Sequence, residues 1–210
     1  MKITLLIGDR NSWILSYARQ IKKQVGGKHD VKMIFDLDEI EDGDLLFMLS
    51  VGIIIPPELL KRNKHNLVVH ESDLPRGRGW SPLTWQILEG KKKIKVTLFE
   101  AVAGVDAGQI YYQDEMQFMG DELADKIRKI QGEKTVGLVL KFIDNFPNVI
   151  GREQKGKSTY YPRRRPEDSK LDINKSIKQQ FNLLRVADNK RYPAFFYHLD
   201  HKYILRISKE

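Results

Sequence analysis

The chain has 210 residues, with 36 Lys and Arg against 28 Asp and Glu, a formal net charge of +8 and a pI near 9.5. It has no cysteine, which excludes a disulfide framework, a thiolate zinc site and a cysteine nucleophile. Hydrophobic residues at 41% and charged residues at 30% suit a chain that buries a sizeable core, and the greasiest run, Leu45–Ile55, stops at Pro56–Pro57, short of the about 20 apolar residues of a membrane span.

Ile3–Ile7 is a short continuous apolar run ending at Gly8, the pattern of a strand buried on both faces. Ser12 then reads as the N-cap of a helix with Ile14, Leu15, Ala18 and Ile21 inward. Val31–Phe35 and Leu45–Leu49 are further strands, and Pro57–Leu60 starts a short helix, proline being at home in a first turn. Asn66–His70 is a fourth strand, followed by a helix over Pro82–Leu88 that Gly90 closes. Ile94–Phe99 and Gln109–Tyr112 read as strands around the turn Gly104–Gly108, and 120–146 as one long helix or two. Such alternation predicts an open α/β sheet covered on both faces, with its site at the carboxyl ends of the strands. That rule gathers Gly8–Trp13, Ser50–Ile55 and the segment from His70 onward on one rim.

The texture changes near residue 150. A polar Gly- and Lys-rich stretch leads into an aromatic and basic one, then a helix pattern over Asn174–Arg185 and two short strands within Tyr192–Ile207. This divides the chain into a catalytic domain over 1–150 and a short α+β tail over 151–210. The clusters Lys61–Arg62, Lys91–Lys93 and Arg163–Arg165 invite a nucleic-acid reading, but no zinc-finger spacing, aromatic RNA-binding motif or helix-turn-helix accompanies them. A phosphate-bearing small substrate explains a local cluster of arginines as well as a polynucleotide does. His198 and His201 lack a third ligand, and on one strand their rings would point to opposite faces. They are therefore read as surface or core residues, and no metal is expected.

The chemistry concentrates in Val69–Pro82 and Gly104–Gln109. A His ends a buried strand, a loop with Pro75, Gly77 and Gly79 follows, and an Asp sits between two glycines downstream. A His beside a carboxylate is suited to general base work near neutral pH, because the carboxylate orients the ring and supports its charge.

These residues carry a resemblance. His70-Glu-Ser-Asp-Leu-Pro75 with Arg78-Gly79, the helix closed by Gly90 and the turn Asp106-Ala-Gly108 resembles the signature of the 10-formyltetrahydrofolate-dependent formyltransferases. Tyr161–Ser169, Asn182–Arg185 and Tyr192–Phe196 are similar to the tail of the sugar N-formyltransferases in that family. The resemblance implies a Rossmann-like core and transfer of a formyl group from 10-formyltetrahydrofolate, with no metal, to the primary amine of a nucleotide-linked deoxyamino sugar used in glycan biosynthesis. It makes His70 the base and Asp106 its partner. Folate is expected against Ser50, Gly52, Ile53, Ile54 and Ile55 and the turn Ala103, Gly104, Val105. The sugar nucleotide is expected at Arg10, Asn11, Ser12 and Trp13, with Ser72, Arg78, Trp80, Arg163 and Arg164. The family's Asn two residues before the His, its oxyanion donor, is here Val68. Asn66 has the right strand parity but lies roughly 13 Å from His70 along an extended strand. Ser72, Asn11 or protonated His70 are the candidate replacements.

Two rival readings stand beside this one. A methionyl-tRNA formyltransferase shares the core and would direct the positive charge at tRNA, but resembles a longer chain with a further barrel domain. A non-catalytic folate- or nucleotide-binding descendant would account for Val68. Met1 leads straight into a strand pattern, so the cytoplasm is the expected location, and Phe195, Phe196 and Tyr197 offer apolar surface for a homodimer contact.

Overall fold

The computed structural model describes all 210 residues. Its first half alternates strand and helix: β1 (Lys2–Ile7), α1 (Leu15–Val25), β2 (Asp30–Ile34), β3 (Gly43–Leu49), α2 (Pro57–Leu60), β4 (Asn63–His70), β5 (Arg78–Gly79) and α3 (Pro82–Leu88). Then come β6 (Lys93–Glu100), β7 (Ile110–Gln117) and the 22-residue α4 (Ala124–Asn145). Six strands form one sheet in the order β2-β1-β3-β4-β6-β7. The first three pairings are parallel, and β6 and β7 add antiparallel.

Strand parity sorts the apolar residues onto two faces. Ile3, Leu5, Ile7, Leu45, Phe47 and Leu67 pack with Ala18 and Ile21 of α1 and with Val136, Val139 and Phe142 of α4. On the other face Leu6, Leu46 and Met48 meet Ile34, Ile40 and Ile55. The two faces explain the continuous apolar runs, since a strand covered on both sides has no position to spare for a polar residue. α4 is a single helix, and it passes so close to α1 that a Cβ at Gly132 would stand 2.4 Å from the Tyr17 ring. It stops at Asn145, two residues before Pro147, which cannot continue the ladder.

Three expectations are corrected. Ser12 is not the N-cap of α1: Ile14 holds that position, no side chain caps it, and Ser12 lies in the turn before, its carbonyl accepting from the Leu15 N–H at 3.1 Å. The Asn174–Arg185 pattern yields only a 3-10 turn (Lys178–Gln180) and α5 (Phe181–Val186), because the Gln180 side chain bonds the carbonyls of Asp172 and Lys175 and so shapes that stretch as a loop. His198 and His201 are not on one strand. They are cross-strand partners closing a hairpin of β9 (Ala194–His198) and β10 (His201–Leu205), whose turn residues Leu199 and Asp200 both have positive φ.

The tail is tied to the core at several points, two of them through a strand pairing and a buried ion pair. β8 (Tyr160–Tyr161) pairs with β5. Arg185 of α5 is buried and donates from Nη2 to Glu122 Oε2 at 2.7 Å and from Nε to the Glu122 carbonyl at 3.0 Å. Leu171, Leu184, Ala187 and Ala194 make a small core of their own. Phe195 is buried and Phe196 half-buried, so of the expected contact residues only Tyr197 is exposed, joined by Leu199, Tyr203 and Ile204.

Candidate active site

β1, β3 and β4 run parallel, so their carboxyl ends open on one rim, and a cavity of about 560 Å³ lies there. His70 ends β4 on the face shared with Val68, 7% exposed, with its ring edge-on to Phe99. Its Nε2 is 2.8 Å from the Gly77 carbonyl oxygen. A carbonyl only accepts, so Nε2 carries the hydrogen and Nδ1 keeps the lone pair; Nδ1 has no partner in the protein. Asp106 Oδ2 lies 3.7 Å from the same Nε2 and accepts the Gly79 N–H at 2.7 Å. The loop 77–79 therefore clasps both members of the pair.

Asp106 reaches this point on a loop that doubles back after β6. Its φ of +47° is a conformation Asp tolerates better than most residues. Gly108 is required where the loop folds against β6, since a Cβ there would lie 1.8 Å from the Glu100 carbonyl oxygen. A brace from the tail side holds the loop. Gln154 Nε2 donates to the carbonyls of Asp106 and Gly108, at 2.8 Å each, and Gln154 Oε1 accepts Arg78 Nη2 at 2.7 Å.

Of the residues the sequence singled out, the cavity is lined by His70 and Asp106, by Ser50, Gly52, Ile53, Ile54 and Ile55, by Gly104 and Val105, and by Ser12, Trp13, Trp80, Arg163 and Arg164. Five stand apart from it. Ala103 is absent from the lining although its neighbours are present. Arg10 stacks on Phe35 at 4.4 Å and lies 3.9 Å from Asp36, and Asn11 is exposed outside the cavity. Ser72 is 1% exposed with its hydroxyl unpartnered behind the loop, and Arg78 serves the Gln154 brace. Val68 lines the cavity with an apolar side chain, packed on Leu74, Phe99 and Ile110. Asn66 does not reach it, because its Nδ2 is given to the Leu60 carbonyl at 2.9 Å. Of the three proposed oxyanion donors, only His70 itself lines the cavity.

Sequence reasoning missed Glu71, Arg128, Gln131, Asp188 and Arg191, all of which line the cavity. Arg128 pairs with Asp188 at 2.7 Å, and Arg191 pairs with Asp9, joining the tail to α4 and to the loop after β1. Glu71 was legible as a charge beside a strand end at the site. The others come from distant segments, and nothing in their spacing announces them. Arg164 is half-buried, its guanidinium pushed down by burial and bonded to the Asp168 carbonyl and Ser169 Oγ. Arg163 and Arg165 are exposed and carry no ion pair.

The geometry is that of a His–carboxylate pair at the strand ends of an open sheet, and the match to known proteins decides its lineage. Residues 5–140 match the family model described as formyl transferase. The chain belongs to the formyl transferase family. A methionyl-tRNA formyltransferase of Thermotoga neapolitana is 32% identical over 151 residues, which is 70% of this chain and 48% of that protein. The chain thus spans about half the length of the curated relatives it matches. Among solved structures, a methionyl-tRNA formyltransferase from Clostridium thermocellum superposes with a TM-score of 0.86 at 23% identity, covering 100% of this chain and 93% of that one. A sugar N-formyltransferase from a Shewanella species superposes at 0.74 with 17% identity, covering 100% and 98%. HypX from Aquifex aeolicus, solved in complex with tetrahydrofolic acid, superposes at 0.82 with 22% identity over 99% of this chain and 37% of its own. These likenesses carry the α/β fold with its mainly parallel sheet. No helix of this family member is long and apolar enough to cross a membrane.

Proposed function

We propose that this formyl transferase family member moves a formyl group from 10-formyltetrahydrofolate to the primary amine of a nucleotide-linked deoxyamino sugar. The carrying observation is the single cavity that joins the His70–Asp106 pair to unpaired arginines of the tail.

The lining fits a folate. Ile53 and Ile54 are 59% and 63% exposed, and Val102 and Val105 are also open, an apolar patch that a flat heterocycle would cover. Ser50, Gly52, Gly104 and the backbone around them would hold its polar edge. The folate supplies the activated formyl carbon. His70 Nδ1 takes a proton from the attacking amine and returns it to the departing nitrogen. Asp106, 3.7 Å from Nε2, stabilises the imidazolium between those events and keeps the loop 77–79 in place. With Val68 unable to donate, the imidazolium Nδ1–H is the donor available to the developing oxyanion.

Arg163 and Arg165 support a diphosphate on the tail side, since guanidinium forks match phosphate oxygens. Trp13 and Trp80 offer aromatic faces for the base. Residues 151–210 would thus complete the acceptor side of a site built by 1–150, and exposed Tyr203 and Ile204 support a contact between two copies. A second reading, transfer to methionyl-tRNA, draws support from the curated relatives and from the +8 charge.

Radiolabelled formyl transfer onto UDP- and dTDP-linked amino sugars, with initiator methionyl-tRNA in parallel, separates the two. Turnover on a nucleotide sugar alone is expected. Turnover confined to tRNA, falling steeply with salt, would replace the first reading by the second. His70→Ala should lower turnover by at least ~100-fold while tetrahydrofolate binding persists.

A further inference from the structure

Glu71 follows His70, and alternation turns it to the opposite face of β4, towards α4. There it lines the same cavity. Its Oε1 accepts the Gln131 side-chain N–H at 2.7 Å, and its main-chain carbonyl accepts Gln86 Nε2 at 2.7 Å. Oε2 accepts from no other residue of the protein and is not sealed from the cavity. The charged groups around this lobe are already engaged. Arg128 holds Asp188, Arg191 holds Asp9, and His70 faces Gly77 and Asp106. Burial pushes the Glu71 carboxyl up, against the pull of His70, the Gln131 hydrogen bond and its own main-chain N–H, and Asp106 adds to the rise. A carboxyl placed this way, with one free oxygen and no cation of its own, awaits a cationic donor.

The proton balance of formyl transfer supplies one. An alkyl amine reaches the site largely as its ammonium at neutral pH. Forming the amide removes two protons from that nitrogen. One follows the new N–C bond and ends on the folate nitrogen as its bond to the formyl carbon breaks. The other leaves to solvent. His70 Nδ1 can hold one proton at a time, and it is needed for the first of these transfers.

We propose that Glu71 binds the acceptor ammonium and removes its surplus proton, leaving the neutral amine to attack and His70 free for the proton that is returned to the folate. The proposal rests on the formyl-transfer reading, and it applies to any primary-amine acceptor. Gln131 is then the positioning residue that aims the carboxylate.

The test is the pH dependence of kcat/KM, from about pH 6 to 9.5, for wild type, Glu71→Gln and Glu71→Asp. The acceptor is whichever amine of the sugar and tRNA panel wild type formylates, so loss of the sugar reading leaves this test intact. Wild type should stay near its plateau down to about pH 6.5. Glu71→Gln should lose a factor of about ten per pH unit below the amine's own pKa, reaching roughly 10- to 100-fold at about pH 6.5, and converge on wild type near pH 9. Glu71→Asp should retain most of the low-pH rate, and tetrahydrofolate binding should be equal in all three. A pH-independent loss, or no loss, overturns the proposal. If wild type formylates no acceptor, a ¹³C NMR titration of the glutamate carboxyls, assigned with Glu71→Gln, decides: a Glu71 carboxyl titrating in the ordinary range of about 4.3 overturns it, and one raised towards neutrality that is perturbed by an added amino-sugar nucleotide supports it.

Discussion

Replacing Arg185 by Ala strands a charge in the join between tail and core. Arg185 is 2% exposed and Glu122 9%, and the guanidinium makes two bonds to Glu122, one to the carboxylate and one to the main-chain carbonyl. The carboxylate also accepts the N–H groups of Met119 at 2.6 Å and Gly120 at 3.0 Å. Burial pushes this carboxyl up, but those N–H donors and Arg185 outweigh it and hold the group below its ordinary value. Removing one partner of a buried pair costs about 3–5 kcal/mol, far more than the about 1 kcal/mol of an exposed pair. For a chain of this size that is a fall in Tm of roughly 6–20 °C. Urea unfolding followed by tryptophan fluorescence measures the loss. Because the folded pKa of Glu122 is depressed, its contribution is present above the ordinary value of 4.5 and is lost as pH falls through the folded value. The gap between wild type and R185A should therefore be widest at neutral pH and narrow in acid. The double variant E122Q/R185M should recover much of the loss, since it leaves no unpaired charge. A loss below about 1 kcal/mol at pH 7, or a gap that does not change with pH, would refute the reasoning.

Val68→Asn adds a donor on the His70 face, and an oxyanion donor is worth about 2.7–4 kcal/mol; kcat should rise by roughly 100- to 1,000-fold in single-turnover assays, and a fall in kcat with the fold intact would mean the oxyanion lies elsewhere. Gln154→Ala strips the carbonyls of Asp106 and Gly108 of their common donor. At about 1–3 kcal/mol for such a loss, kcat/KM should fall roughly tenfold with folate affinity also weakened, and unchanged kinetics would remove Gln154 from the site. Glu71→Gln should stabilise the fold at neutral pH, because a carboxyl raised by burial contributes stability only below its ordinary value of 4.5 and loses it as pH rises through its folded value. Thermal scans at about pH 5 and pH 8 should show the gain at the higher pH, and equal Tm values there would count against the burial of the charge.

The strands, α2 and α3 were legible within a residue or two in most cases, because apolar run length and proline and glycine positions are local signals. The Pro57–Leu60 and Pro82–Leu88 helices match residue for residue. Where a side chain overrides the pattern, as Gln180 does before α5, periodicity misleads. The pair His70 and Asp106 was legible as motif residues, and so were the segments expected to share a rim.

The sequence by itself determined an α/β sheet buried on two faces, a His closing its fourth strand and an Asp in a glycine-flanked turn, since each depends on residues a few positions apart. Only the tertiary structure decided which atoms meet. The Nε2–Gly77 bond that leaves the lone pair on Nδ1, the Gln154 brace from 48 residues beyond Asp106, and the approach of Gln131 to Glu71 across 60 residues all join segments distant in the chain. Spacing cannot announce such contacts, because their geometry is set by how helices and loops pack on the sheet rather than by the order of residues along it.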